Sequence, residues 1–296
     1  MNNRNNWNFS FINKSITKDK DRLIRSYINY MLIRTQKIFE YKNLPKTIPQ
    51  KDLELILQLC GSATITKVDG ELYAFYGGLG GMLNEYYQPT LSVVANPYLK
   101  YNKVLEIDED CVVILNDSLY VGLTPLFDRY SEMLAETMIS LRYAVINSRI
   151  PMIAVANNDN TADSVNTLFE QVEKGESIRS ILSKNPLDDK TFETRDYFSK
   201  NQGNIKDLIE LYQYLLSSWY NELGIQSNYN MKRESLNSDE VGMNDDVLIP
   251  LIDEMLRMRE IGVTKINEKY GTNISVTLSS VWKKMREEKE VNEGEI

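Results

Sequence analysis

Residues 124–149, TPLFDRYSEMLAETMISLRYAVINSR, and 204–223, NIKDLIELYQYLLSSWYNEL, decide the fold. In the first, Thr124 stands as N-cap and Pro125 at the first helical position, where a missing N–H costs nothing. Apolar or small residues recur at Phe127, Tyr130, Leu134, Thr137, Leu141 and Ala144, in steps of three and four. A second stripe passes through Leu126, Met133, Ile139, Tyr143 and Ile146, and Pro151 ends the run. About 26 residues at 1.5 Å each make a rod of roughly 39 Å. The return helix carries Ile205, Leu208, Ile209, Tyr212, Leu215, Leu216 and Trp219 and stops at Gly224. Two such helices run antiparallel if they pack, so the segment between them sits at the far end of a stalk. That layout is expected of an elongated protein built for assembly. One helix pair buries one face of each, so the second stripe needs cover from elsewhere in the chain or from neighbouring copies. An ordinary core helix in a larger bundle meets the same need.

The rest of the chain reads outward from this pair. Residues 20–42 form a helix (Ile24, Ile28, Met31, Thr35, Ile38, Phe39) stopped by Pro45, and a second helix over 50–60 ends at Gly61. Strands follow at 63–68 and 71–76 around an Asp69-Gly70 hairpin turn, then at 91–95, 103–107, 111–115 and 118–121. Between the stalk helices, 151–156 reads as a strand and 162–174 as a short amphipathic helix, with a polar run over 183–203. Residues 225–246 have almost no apolar content and read as a mobile loop. A helix over 246–269 has Pro250 in its first turn or at a kink; a strand over 273–278 and a charged helix over 279–290 complete the chain.

Composition narrows the function. The chain has 296 residues, 42% of them hydrophobic and 26% charged, as in globular proteins. No run approaches the roughly 18 apolar residues of a membrane span, and the Asn-rich beginning is not a signal peptide. This points to a soluble chain, intracellular when made, with no membrane partner. Cys60 and Cys111 stand in no metal or redox spacing and read as buried free thiols. With no His, the Ser-His-Asp, Cys-His and HExxH systems are excluded. The run Gly77-Gly78-Leu79-Gly80-Gly81 lacks the third fingerprint glycine, and no Gly-Lys-Ser/Thr occurs, so it reads as a flexible loop after a strand. Asp108-Glu109-Asp110 and Asn157-Asn158-Asp159-Asn160 lack the glycine and terminal Glu of a calcium loop and read as turns. No catalytic constellation, metal site or cofactor site emerges, and the chain is read as a non-enzyme.

The net charge of −8 speaks against a simple nucleic-acid-binding module, since phosphate neutralisation supplies most of that affinity. Its distribution is uneven, however. Residues 1–37 hold Arg4, Lys14, Lys18, Lys20, Arg22, Arg25, Arg34 and Lys37 against Asp19 and Asp21, a net +6 that leaves −14 for the remainder. The basic, Asn-rich arm over 1–19 reads as disordered, either a solvated tail or a contact for a polyanion.

Four phrases, in order and at similar spacing over most of the chain, carry a resemblance: YINYMLIRTQKIFEYKNLPKTI (27–48), PMIAVANNDN (151–160), SDEVGMND (238–245) and KINEKYGTN (265–273). Phe39-Glu40-Tyr41 with Asn43-Leu44-Pro45 is the most specific. Together they resemble the portal protein, also called the upper collar or head–tail connector, of small short-tailed bacteriophages with protein-primed linear DNA. The resemblance implies an α+β portal fold with long stem helices, a mixed α/β clip insertion, a wing with a small antiparallel β-rich part and a short helical crown. Its parts would be a basic arm (1–19), wing (20–123 and 247–278), stem helices (124–151 and 204–224), clip (152–203), tunnel loop (225–246) and crown or tail (279–296). It further implies a twelve-subunit ring at one capsid vertex of the virion, through which double-stranded DNA is packaged and ejected. Expected partners are the major capsid and scaffolding proteins, the lower collar or tail protein, a separate packaging ATPase and, in relatives that use one, a packaging RNA. Asn228, Asn230, Lys232 and Arg233 would meet DNA in the tunnel, and Arg4, Lys14, Lys18 and Lys20 would meet nucleic acid or the motor. Another ring-forming collar or tail adaptor, or a nucleic-acid module using the basic arm, are the competing readings.

Overall fold

The computed structural model describes residues 19–148, 152–156, 163, 166, 167, 170, 192–196, 202–224 and 250–280. The described chain is α+β and falls into two compact units. One takes residues 1–23 and 133–216; the other takes 24–132 and 217–296. Helix α1 spans Lys20–Thr35, α2 Gln50–Cys60, α3 Thr124–Asn147, α4 Gln202–Glu222 and α5 Pro250–Tyr270.

The larger unit is built on two three-stranded antiparallel sheets. The first has the order β3-β2-β7, from Glu71–Phe75, Ser62–Val68 and Val112–Leu115. The β2–β3 hairpin turns at Asp69 (φ 51°) and Gly70 (φ 89°), the two left-handed positions that suit a tight two-residue turn. Strand β2 is buried along almost its whole length. The second sheet has the order β4-β5-β6, from Gly78–Gly80, Leu91–Asn96 and Tyr101–Glu106. Val68, Phe75, Val94, Leu105 and Cys111 form the core between the sheets, with the Phe75 and Tyr101 rings stacked 5.9 Å apart. The hydroxyls of Thr64 and Ser92 meet at 2.6 Å, and Gly77 lies so close to both that no Cβ would fit. Helix α5 packs on β7, where Gly262 sits directly over Ile114.

A two-stranded ribbon joins the early chain to the late chain. Strand β1 (Phe39–Lys42) pairs antiparallel with β10 (Ser275–Leu278), Phe39 opposite Leu278 and Lys42 opposite Ser275. This corrects the expectation of a continuous helix over 20–42. Helix α1 stops at Thr35, whose hydroxyl donates to Gln58 Oε1 at 2.6 Å, and Phe39–Lys42 then alternates buried and exposed against β10. Two further corrections concern the region between sheets and helix. The glycine run expected as a loop contains strand β4, held by pairing with β5 (Gly78 opposite Val93, Gly80 opposite Leu91). The stretch 118–121 is a loop instead of a strand, because the Asp117 carboxylate takes its backbone N–H groups.

Helices α3 and α4 contribute to both units. Within the larger unit they are tied antiparallel by Arg129 to Glu222 (2.8 Å) and by Tyr130 to the Ser218 hydroxyl (2.8 Å), and Phe127 and Trp219 are buried there. In the smaller unit, β8 (Met152–Ala156) pairs antiparallel with β9 (Phe192–Asp196), Ala154 opposite Thr194. Strand β8 was legible in the sequence; β9 falls inside the stretch read as a polar run. The second apolar stripe of α3 is incompletely covered, with Met133 and Tyr143 exposed, as are Ile209, Leu211 and Tyr214 on α4. Residues 281–290 of the expected helix over 279–290, and the loop over 225–246, lie outside the described residues.

Candidate functional site

Helix α2 carries a buried polar pair on the same face as its apolar stripe. Leu53 and Leu57 enter the core with Glu54 and Gln58 beside them, all four buried. Glu54 receives Arg259 of α5 fork to fork, Nε to Oε1 at 2.8 Å and Nη2 to Oε2 at 2.9 Å, with both side chains wholly sequestered from solvent. Tyr41 donates its hydroxyl to Glu54 Oε1 at 2.6 Å, and Gln58 Nε2 donates to Oε2 at 3.0 Å. The guanidinium lies 4.1 Å from the Phe39 ring centroid. Its remaining donors reach Asn116 Oδ1 (2.9 Å) and the Met255 carbonyl (2.9 Å). Burial, with the Glu54 charge beside it, holds the Tyr41 phenol well above its ordinary value. For Arg259, burial works against the charged form, but Glu54 and Tyr41 more than offset it and the guanidinium stays charged.

From Asn116 the network continues to the surface. Asn116 Nδ2 donates to Asp117 Oδ2 (3.2 Å). The same carboxylate accepts from the backbone N–H of Leu119 (3.0 Å), Val121 (3.1 Å) and Gly122 (2.7 Å). Tyr120, between them, is held at φ 62°. Gly122 packs against the Gln58 carbonyl and Gly61 against that of Tyr120, each too close for a Cβ. The chain thus fixes a short loop that carries Leu119 and Val121 outward, 78% and 48% exposed. These groups tie structure together; none is an activated nucleophile. The Cys111 thiol is pushed up to about 11 by burial and then by Asp110 and Asp108, which keeps it protonated near neutral pH.

Of the residues expected to meet DNA, other nucleic acid or the motor, Lys20 alone is described. It opens α1, and its Nζ lies 2.5 Å from Glu136 Oε1 on α3 within the smaller unit. Arg4, Lys14, Lys18, Asn228, Asn230, Lys232 and Arg233 lie outside the described residues. Among the described residues no group of three or more His, Cys, Asp or Glu could hold a metal ion, and no helix is long and apolar enough to cross a membrane. The Glu54–Arg259 pair was missed in the sequence because its members lie 205 residues apart. A charge beside the apolar stripe of α2 was the available signal.

Rigid ties, sheets and long helices with uncovered apolar side chains are the features of a component that assembles. The family model described as Phage Connector (GP10) matches residues 7–282. The chain belongs to the phage connector family, and its function is that of a portal or connector in the virion. Among solved structures it is similar to one titled as the portal and tail of native bacteriophage P68, at 19% identity over 92% of this chain and 91% of that one, with a TM-score of 0.47. It is also similar to an HK97-family phage portal protein from Corynebacterium diphtheriae, at 9% identity over 89% and 93% of the chains, with a TM-score of 0.45. A third is the virion of a native gene transfer agent particle, at 9% identity over 90% and 84%, with a TM-score of 0.41.

Proposed function

We propose that this chain closes into a twelve-subunit ring at one capsid vertex and forms the channel through which double-stranded DNA enters and leaves. The observation that supports ring closure is the exposure of Met133 and Tyr143 on α3 and of Ile209, Leu211 and Tyr214 on α4. A lone subunit leaves these apolar side chains in water, whereas head-to-tail neighbours cover them by a heterologous contact that closes on itself. In this reading α3 and α4 are stem helices, 152–203 is the clip, 20–123 and 247–278 form the wing, and the phage is short-tailed with protein-primed linear DNA. The capsid, scaffolding and tail proteins and a separate packaging ATPase are its partners, and the chain itself catalyses nothing. A net charge of −8 keeps a sliding polyanion weakly held, because a basic wall would bind it by counterion release.

Negative-stain electron microscopy with light scattering tests the ring. Twelve-fold rings with a channel wide enough for a duplex are the expected result. A chain that stays monomeric at every concentration, and also with capsid and scaffolding proteins added, overturns it.

A further inference from the structure

Among the described residues the ribbon of β1 and β10 holds two strands, so each has an outer edge. Along a strand, successive residues turn their N–H and C=O groups to opposite sides. Ser279 donates its N–H to the Ile38 carbonyl at 2.8 Å, which fixes the parity. Ile38, Glu40 and Lys42 therefore bond inward, opposite Ser279, Thr277 and Ser275, while Phe39 and Tyr41 turn their backbone groups outward. On the other strand the outward positions are Ile274, Val276 and Leu278. Phe39, Tyr41, Val276 and Thr277 are good strand formers, and an edge of such residues is a ready template for a strand of another chain.

Each outer edge is met by a side-chain amide instead of a strand. Gln50, the first residue of α2, lies beside β1. Its Oε1 accepts from the Tyr41 N–H at 3.2 Å, and its Nε2 donates to the Phe39 carbonyl at 3.0 Å. A donor and an acceptor are what a neighbouring strand would offer at that place. Asn267 of α5 repeats the arrangement where the chain enters β10. Its Oδ1 accepts from the Ile274 N–H and its Nδ2 donates to the Ile274 carbonyl, both at 2.8 Å. The Thr272 hydroxyl donates to the same Oδ1 at 2.7 Å, which holds the amide in this orientation. An amide tip carries both a donor and an acceptor, whereas a Lys or an ionised Glu would supply only half of the pair.

We infer that Gln50 is an edge plug. By taking the Phe39 carbonyl and the Tyr41 N–H, it denies an incoming strand the two groups on which pairing at β1 would start. Asn267 does the same at the entrance to β10. The ribbon thereby stays two-stranded and recruits no strand from another copy by backbone pairing. The inference does not depend on the ring, because it concerns pairing that must not occur in any assembly of this chain.

Three full-length variants test it. Gln50→Ala removes both bonds. Gln50→Lys removes the acceptor but leaves a charge at the edge. Gly262→Ala crowds α5 against Ile114 and leaves Gln50 in place. In Gln50→Ala the Tyr41 amide should exchange at least about tenfold faster. Light scattering should then show species larger than any the unmodified chain forms, with the infrared band of intermolecular strands. Gln50→Lys should expose the Tyr41 amide as much and yet form no such species, because a lysine on an edge blocks pairing. Gly262→Ala should form none either. If Gln50→Ala leaves Tyr41 exchange unchanged, or quickens it without larger species, the plug is overturned. Larger species in equal measure from Gln50→Lys or Gly262→Ala overturn it too, since they trace association to a loosened fold rather than to the opened edge.

Discussion

Arg259 and Glu54, 205 residues apart in the chain, meet through two parallel hydrogen bonds of 2.8 and 2.9 Å in a site closed to water. Removing one member strands the other's charge, so Arg259→Met or Glu54→Leu alone should cost about 3–5 kcal/mol. The double replacement removes both charges and leaves Tyr41, Gln58 and Asn116 each short of one partner, at about 1–3 kcal/mol apiece. It should therefore cost clearly less than the two single changes added together. Chemical denaturation at one fixed protein concentration measures all three, and simple additivity would contradict a coupled pair.

Gly262 lies within α5, where exchanging glycine for alanine ordinarily gains up to about 1 kcal/mol. Here an added Cβ would fall 2.6 Å from Ile114 Cγ1 and 3.1 Å from its Cα. Overpacking wins, and Gly262→Ala is expected to destabilise by about 1–3 kcal/mol. Trimming the neighbour in that background, Ile114→Val, should restore part of the loss. A stabilising Gly262→Ala would show that α5 stands farther from β7 than described.

The phenols of Tyr270 and Tyr220 are each pushed up to about 12, foremost by burial. Tyr270 also donates to the Ile65 carbonyl at 3.1 Å, and Tyr220 shares a hydrogen bond with Tyr30 at 3.2 Å. Below pH 10 these phenols are protonated in folded and unfolded chains alike, so their contribution is fully present. Between pH 10 and about 12 only the unfolded chain releases the protons, and stability must fall as pH rises. Denaturation midpoints across pH 9–12 should drop over that window, and less so in Tyr270→Phe. A midpoint that does not change up to pH 12 would exclude this linkage.

Asp117 orders its loop through three backbone N–H groups. Asp117→Ala should raise amide exchange at Leu119, Val121 and Gly122 by tenfold or more, each lost charged hydrogen bond being worth about 1.5–3 kcal/mol. Hydrogen exchange should remain slow in β2, which keeps its pairing to β3 and β7. Exchange confined to its original rate in the loop would mean that Gly61 and Gly122 alone hold it.

For the proposed channel, replacing Lys232 and Arg233 with Ala should leave rings intact but weaken retention of packaged DNA, read as nuclease-accessible genome at full packing. Deleting residues 2–19 should lower packaging efficiency without affecting ring formation. Loss of rings in either variant would assign these segments to assembly.

Much of the fold was legible where local period and turn chemistry agree with tertiary contacts. The helices from Thr124 and up to Glu222 follow their 3.6-residue stripes, and Asp69-Gly70 turns the hairpin as its left-handed preference dictates. Expectation failed where a distant partner decides. Ile38 and Phe39 continue the helical spacing of α1, yet β10, arriving more than two hundred residues later, pairs with Phe39–Lys42 and sets a period of two. Gly78 and Gly80 offer no side chain to read, so β4 exists only through β5. Leu119 and Val121 alternate like a strand, but the preceding carboxylate takes the N–H groups a ladder would need. For the site, Lys20, expected to meet nucleic acid or the motor, is paired with Glu136, a contact no spacing rule announces.

The ribbon of β1 and β10, and the ion pair beneath it, set an order of events in the cell. Synthesis proceeds at about 5–20 residues per second, so Glu54 waits about 10–40 s for Arg259 to be made, 205 residues later. During that interval its carboxylate has no cation, Phe39 has no facing strand, and the larger unit cannot close. The larger unit therefore closes only after Arg259 and β10 have been made, and a nascent chain still short of them has no finished fold to offer a neighbour.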